Sequence, residues 1–221
     1  TRFRDRAEAG QLLAEQLKPT YGNRSDVLVL GLPRGGLPVA FEVAQALNAP
    51  LDVCLVRKLG VPGHKELAMG AIADHDVMVL NSETVQLLGI SQRAIERVAA
   101  SERVELERRD RAYRGDRPAP SLKNRTIILI DDGVATGSTL KAALSVIKQQ
   151  QPKELVIAVP VASPKICREL ETKVDELVCL LTPESLQAIS LWYENFSQTT
   201  DEEVRRFLER AGHPSMNHHV A

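Results

Sequence analysis

Aromatic side chains are scarce in this chain: Phe, Trp and Tyr make up 4% of its 221 residues, with a single Trp. Cysteine is scarcer still, and the three present, Cys54, Cys167 and Cys179, are odd in number and far apart in apolar or helical surroundings. That pattern excludes a disulfide framework and a metal-ligand spacing, and reads as buried thiols in a reducing compartment. No apolar run approaches the ~18 residues that span a bilayer. The opening stretch "TRFRDRAEAGQLL" also lacks the apolar centre of a signal peptide, so a cytoplasmic location is expected. A formal net charge of −1 leaves no excess to draw nucleic acid or an anionic membrane, so neither is expected as a partner and any anion must be met locally. Internal repeats, low-complexity tracts and long linkers are missing too.

What is present is an alternation of short apolar runs with helical patterns. "DVLVLGL" (26–32), "LDVCLVRK" (51–58), "DVMVLN" (76–81), "TIILIDD" (126–132), "ELVIAVPVA" (154–162) and "DELVCLL" (175–181) read as strands covered on both faces. Helical stretches such as "GLPVAFEVAQALN" and "GSTLKAALSVIKQQ" lie between them. The alternation predicts an α/β fold, a mostly parallel twisted sheet with helices on both faces, in one domain over 1–221. Two segments stand outside the rhythm. Residues 91–113 form a charged helical insertion with a thin apolar stripe, open to reading as a lid, a dimer arm or a solvated outer helix. "TTDEEVRRFLERAG" carries a cap, an acidic first turn, a basic last turn and a closing Gly, so it reads as a terminal helix. The tail holds His218 and His219, too isolated to read as a metal site.

"TIILIDDGVATGSTL" (126–140) holds the chemistry. A buried strand runs into two aspartates and then into a small-residue loop that opens a helix, which is where ligands bind in open α/β sheets. The helix amino terminus offers unpaired N–H groups over 135–139, and Thr136, Ser138 and Thr139 add hydroxyls, so a phosphate fits there. Two carboxylates beside an anion would repel it unless they serve something attached to it, such as vicinal hydroxyls or a divalent cation. A ribose 5-phosphate meets both demands. The loop lacks the Lys of a nucleoside-triphosphate loop, and G-x-G-x-x-G occurs nowhere in the chain.

In that order of strand, acids, loop and helix, "IILIDDGVATGSTL" resembles the phosphoribosyl pyrophosphate motif of the type I phosphoribosyltransferases. The resemblance covers most of 27–196, and the layout is similar to a branch of uncharacterised predicted phosphoribosyltransferases. It implies Mg²⁺-dependent transfer of 5-phosphoribosyl from phosphoribosyl pyrophosphate to a nitrogen nucleophile, expected to be a nucleobase. Asp131 and Asp132 would be the catalytic pair, on the ribose hydroxyls and on Mg²⁺ held mainly through substrate and water. Gly133, Val134, Ala135, Thr136, Gly137, Ser138 and Thr139 would form the phosphate loop. Arg34, Gly35 and Gly36 in "LGLPRGGLPVA" would form the pyrophosphate loop, with a cis peptide between Pro33 and Arg34. Arg57 and Lys58 would neutralise the pyrophosphate at a strand end. Lys65, in a loop with His64 and Glu66, would close over it, or is simply a solvated Lys. Trp192 or Tyr193 would stack on the base from a hood within 182–212, or else anchor the terminal helix. A homodimer fits the resemblance, and the rival reading is a phosphoribosyl-pyrophosphate sensor that regulates a partner. In members that use 6-oxopurines an Asp stands where this chain has Ala135.

Overall fold

The computed structural model describes residues 1–212; His218 and His219 lie outside the described residues. Five parallel strands, β1 (Val27–Gly31), β2 (Leu51–Val53), β6 (Thr126–Ile130), β7 (Glu154–Val161) and β8 (Glu176–Leu181), form the central sheet in the order β2-β1-β6-β7-β8. Their near-continuous apolar composition is what double coverage requires. Because strand residues alternate in direction, Val27, Val29, Ile128 and Ile130 join the core under α1 (Arg6–Tyr21), α2 (Gly36–Leu47) and α7 (Asp201–Ala211). Leu28, Leu30, Ile127 and Leu129 join the opposite core, under α5 (Ser138–Lys148) and α6 (Pro164–Glu171). The expected mostly parallel sheet with helices on both faces is therefore what the chain forms.

Between β2 and β6 the chain leaves this sheet to build a second, antiparallel one from β3 (Val56–Val61), β4 (His64–Ala73) and β5 (Met78–Leu80), in the order β3-β4-β5. Two expectations are corrected here. The run 51–58 is two strands in different sheets, since Val53 pairs with Gly31 while Val56 pairs with Ala73. Residues 53–56, where the chain passes from one sheet to the other, are all apolar, so periodicity carries no mark of the crossing. His64, Lys65 and Glu66 stand in β4 rather than in a loop. A two-residue Pro62–Gly63 connection with Gly63 at φ +81° closes the hairpin, as a Pro–Gly turn does.

A short helix α3 (Ser82–Leu87) leads to α4 (Gln92–Arg114), which packs against β3 and α7 through Ile95, Ala99, Leu106 and Tyr113. The charged helix is thus one wall of the antiparallel unit rather than a free arm. Its last residue fixes it to the main sheet. The Arg114 guanidinium is 2% exposed and meets Asp52 at 2.8 Å, Asp110 at 2.9 Å and Asp74 at 3.0 Å, and it donates to the Val53 carbonyl at 3.0 Å. Burial raises the Asp74 carboxyl despite Arg114, and it pushes the neighbouring Cys54 thiol up to about 12. No helix among the described residues is long and apolar enough to cross a membrane.

Removing one partner of a buried ionic cluster leaves uncompensated charge behind, at a cost of about 3–5 kcal/mol. Arg114→Ala should lower unfolding free energy by that order in urea titration, and a change under about 1 kcal/mol would deny the cluster its anchoring role.

Candidate functional site

Strands β1 and β6 are neighbours with Gly31 paired to Ile130, so the loops that leave their carboxyl ends emerge side by side. From β1 come residues 33–36, and from β6 residues 131–137. Their backbones nearly touch. A Cβ on Gly35 would collide with Asp132 Oδ2, and one on Gly36 would lie 2.8 Å from the Ile130 carbonyl and 3.2 Å from Asp131 Cα. A side chain at Gly36 would force the loops apart and one at Gly35 would displace the Asp132 carboxylate, which gives the glycines a packing role beside the backbone freedom expected of them. The peptide between Pro33 and Arg34 is cis, as the resemblance implies.

The two aspartates are unequal. Asp132 is 9% exposed, accepts from Arg6 Nε at 3.0 Å, and its backbone carbonyl accepts the Tyr193 hydroxyl at 2.6 Å. Asp131 turns one oxygen, Oδ1, back to the Asp132 amide at 2.9 Å and has no ion-pair partner among the described residues. Burial first, then the adjacent Asp132 charge, raises its carboxyl well above the ordinary range, with Arg6 opposing.

Beyond them, Gly133 is packed under Ile189 and Val161, where a Cβ would fall 2.7 and 2.9 Å from their side chains. The Val134 side chain is buried and its N–H donates to the Val161 carbonyl at 2.9 Å. Val134 therefore anchors the loop, and its amide is not available to a phosphate. Ala135, Thr136, Ser138 and Thr139 stand at the start of α5, with Gly137 at φ +79° making the turn into the helix. This stretch keeps the helix-terminus geometry an anion needs.

A cleft of about 800 Å³ opens between this loop, Pro33, the β3–β4 hairpin and α4. Arg57, Lys58 and Lys65 line it, as do Arg97 and Arg109 from α4, against the acids Glu66 and Glu102. Lys58 Nζ reaches Ser138 Oγ at 3.1 Å, and Arg57 Nε is held by Glu102 at 2.7 Å. Arg34 stands apart, half exposed, with its guanidinium 3.6 Å from Asp201 at the start of α7. Tyr193 cannot stack on a base: its ring is 1% exposed, packed between Phe3 and Phe196 at 5.4 and 5.1 Å between centroids. Burial also raises its hydroxyl pKa, so it remains a donor to the Asp132 carbonyl. Trp192 holds its indole N–H on the Leu186 carbonyl at 3.0 Å.

Sequence reasoning missed Arg6, Arg97, Arg109 and Glu102. Of the α4 residues, Glu102 and Arg109 carried a faint signal, since a spacing of seven puts them on one helix face. For the metal, the free oxygen of Asp131 beside an anion cradle fits Mg²⁺ held by one or two carboxylates and substrate oxygens; no cluster of three or more ligating side chains occurs among the described residues.

Residues 4–191 match the family model described as phosphoribosyl transferase domain. Over 209 residues the chain is 46% identical to a Mycobacterium tuberculosis (strain H37Rv) protein named "Putative phosphoribosyl transferase", covering 95% of this chain and 47% of that one. The same figures hold for the corresponding protein of strain CDC 1551. The chain thus spans about half the length of the curated relatives it matches. The crystal structure of the Thermus thermophilus protein TT1426 aligns with a TM-score of 0.86 at 44% identity, covering 96% of this chain and 99% of that one.

The inequality of the aspartates has a thermodynamic consequence. A carboxyl raised by folding binds its proton more tightly in the native than in the unfolded chain, so it lowers stability as pH climbs above the ordinary carboxylate value of 3.8. Asp131→Ala should therefore melt no lower than the unmodified protein at neutral pH. Asp132→Ala, which strands the Arg6 guanidinium, should lose about 3 kcal/mol. Calorimetric melts of both variants check this, and equal destabilisation would contradict it.

Proposed function

The chain belongs to the phosphoribosyl transferase domain family, and from that premise we propose that it transfers 5-phosphoribosyl from phosphoribosyl pyrophosphate to a nitrogen nucleophile, a nucleobase foremost. The observation that carries the reading is the juxtaposition of the 131–139 loop, with a carboxylate pair at one end and a helix amino terminus at the other, against the glycine-tight 33–36 loop. A single ligand that carries hydroxyls between two anionic groups fits both loops.

In this reading the 5-phosphate rests on the exposed amides and hydroxyls of 135–139, the ribose hydroxyls face Asp131, and the pyrophosphate lies toward the 33–36 loop. Arg57 and Lys58, with Arg34 once it leaves Asp201, face the departing charge. Substitution at the anomeric carbon passes through an oxocarbenium-like state, which asks for positioning and charge stabilisation more than for covalent help. The Asp131 carboxylate, ionised in the complex, steadies the positive charge that develops on the sugar ring. Asp131, together with substrate oxygens, would hold Mg²⁺, which would supply neutralisation of the leaving group. A cytoplasmic place in nucleotide metabolism follows from these substrates.

Exchange of labelled pyrophosphate into the donor, run with a panel of bases, tests this directly. Exchange dependent on one acceptor class supports a transferase; donor binding with no exchange or product across the panel points to a sensor.

The acceptor is narrowed by Ala135. Its methyl can neither take nor give a proton, and the neighbouring Thr136 and Ser138 hydroxyls titrate far above neutrality, whereas general acid–base help is worth ~10²–10⁴-fold in rate. Hypoxanthine and guanine should be turned over at least about 10²-fold less efficiently than the best acceptor in the panel. Comparable kcat/KM values would contradict this.

A further inference from the structure

We propose that Arg6 is a positioning residue of the donor site, fixing the Asp132 carboxylate and the 33–36 loop beside it so that Asp131 stays free for the ligand. The inference rests on the phosphoribosyl-donor reading above.

The placement of Arg6 is not explained by its own helix. It opens α1, where the helix dipole favours anions: Asp5 caps the helix by accepting the Glu8 N–H at 2.9 Å, and Glu8 is the acidic residue of the first turn. A cation at this position is locally unfavourable, so its partners must lie elsewhere in the fold. They do. Arg6 Nε donates to Asp132 Oδ2 at 3.0 Å, and Nη1 donates to the Ser197 carbonyl at 2.6 Å. The guanidinium carbon sits 3.9 Å from the centre of the Phe196 ring, and Nη2 lies 3.2 Å from the place a Gly35 side chain would occupy. One planar group thus links the start of α1 to three separated pieces of chain: the 33–36 loop, Asp132 and the segment after Tyr193. Both side chains of the pair are nearly closed to water, at 11% and 12% exposure.

The chemistry suits arginine and not lysine. A guanidinium can stack flat on Phe196 and donate in diverging directions at once, whereas an ammonium is a point charge without a stacking face. Of two adjacent carboxylates, the one that receives this cation is held, and Asp131, without an ion-pair partner among the described residues, keeps an oxygen for the sugar and the metal. Losing Arg6 would leave both carboxylates unneutralised beside the glycine loop, and the Asp132 side chain, already against Gly35, without the cation that holds it there.

The test is titration calorimetry of phosphoribosyl pyrophosphate with Mg²⁺ into the full chain, its Arg6→Gln, Arg6→Lys and Asp132→Asn variants, and the Arg6→Gln/Asp132→Asn double variant, with a melt of each. A positioning role predicts that Arg6→Gln weakens donor binding roughly tenfold or more, the effect of losing one charge-assisted hydrogen bond. In the Asp132→Asn background the same change should matter less than about twofold, because the carboxylate it acts through is gone. A merely structural staple would cost the same in both backgrounds, and that result, or unchanged affinity in Arg6→Gln, would overturn the proposal. If Arg6→Gln does not fold, Arg6→Lys decides: weakened donor binding in a protein that still melts cooperatively supports the role, and unweakened binding overturns it. Donor binding absent in the unmodified chain would instead overturn the donor assignment itself, and the role of Arg6 with it.

Discussion

The close approach of two glycines after β1 to the end of β6, Gly36 to the backbone of Ile130 and Asp131 and Gly35 to the Asp132 carboxylate, is the constraint on which the rest of the site depends. A Cβ at Gly36 would press on the Ile130 carbonyl and the Asp131 Cα, so the two loops lie together because no side chain is there, and one at Gly35 would displace the Asp132 carboxylate. Parallel pairing of the strands beneath sets the register, and the buried ends of the strands leave little room for adjustment. The Arg6–Asp132 pair and the Tyr193 hydroxyl then lock the carboxylate side of the contact from below and behind.

On this frame the molecule places charge in two different ways. Facing the cleft, cations from β3, β4 and α4 outnumber acids, and the α5 terminus contributes backbone N–H groups, so the cleft is locally positive although the chain as a whole is not. Away from the cleft, Arg114 gathers three aspartates into a closed cluster that ties α4 to β2 and to the end of β4. The wall carrying Arg97 and Arg109 is held in place by that cluster. Among the described residues no buried side-chain polar atom lacks a partner, so such charged groups add rigidity without leaving an unmet hydrogen bond.

The parallel sheet was legible because its strands are largely continuous apolar runs, and the motif loop because its chemistry differs abruptly from the strand before it, as Asp131 does from Ile130. The cis bond at Pro33 was legible through resemblance alone. The antiparallel unit was hidden because the residues that leave one sheet and enter the other, Val53 to Val56, share one apolar character. Val134 and Tyr193 lie among the residues expected to bind ligand, yet their groups point inward, to Val161 and to the Asp132 carbonyl. Direction of that kind is set by packing and leaves no trace in residue type. Arg6 lies 126 positions from its partner Asp132, and only its awkward place at a helix start could have hinted at a distant role.

A crystal structure of the protein with phosphoribosyl pyrophosphate and Mg²⁺ bears most directly on the central claim, that the two strand-end loops together form one donor site. The account predicts the 5-phosphate on the amides of 135–139, the ribose hydroxyls against Asp131, and the pyrophosphate over the 33–36 loop, with Asp132 still on Arg6. A donor bound away from the junction of these loops, or with its hydroxyls facing Asp132 after the Arg6 pair has broken, would contradict it.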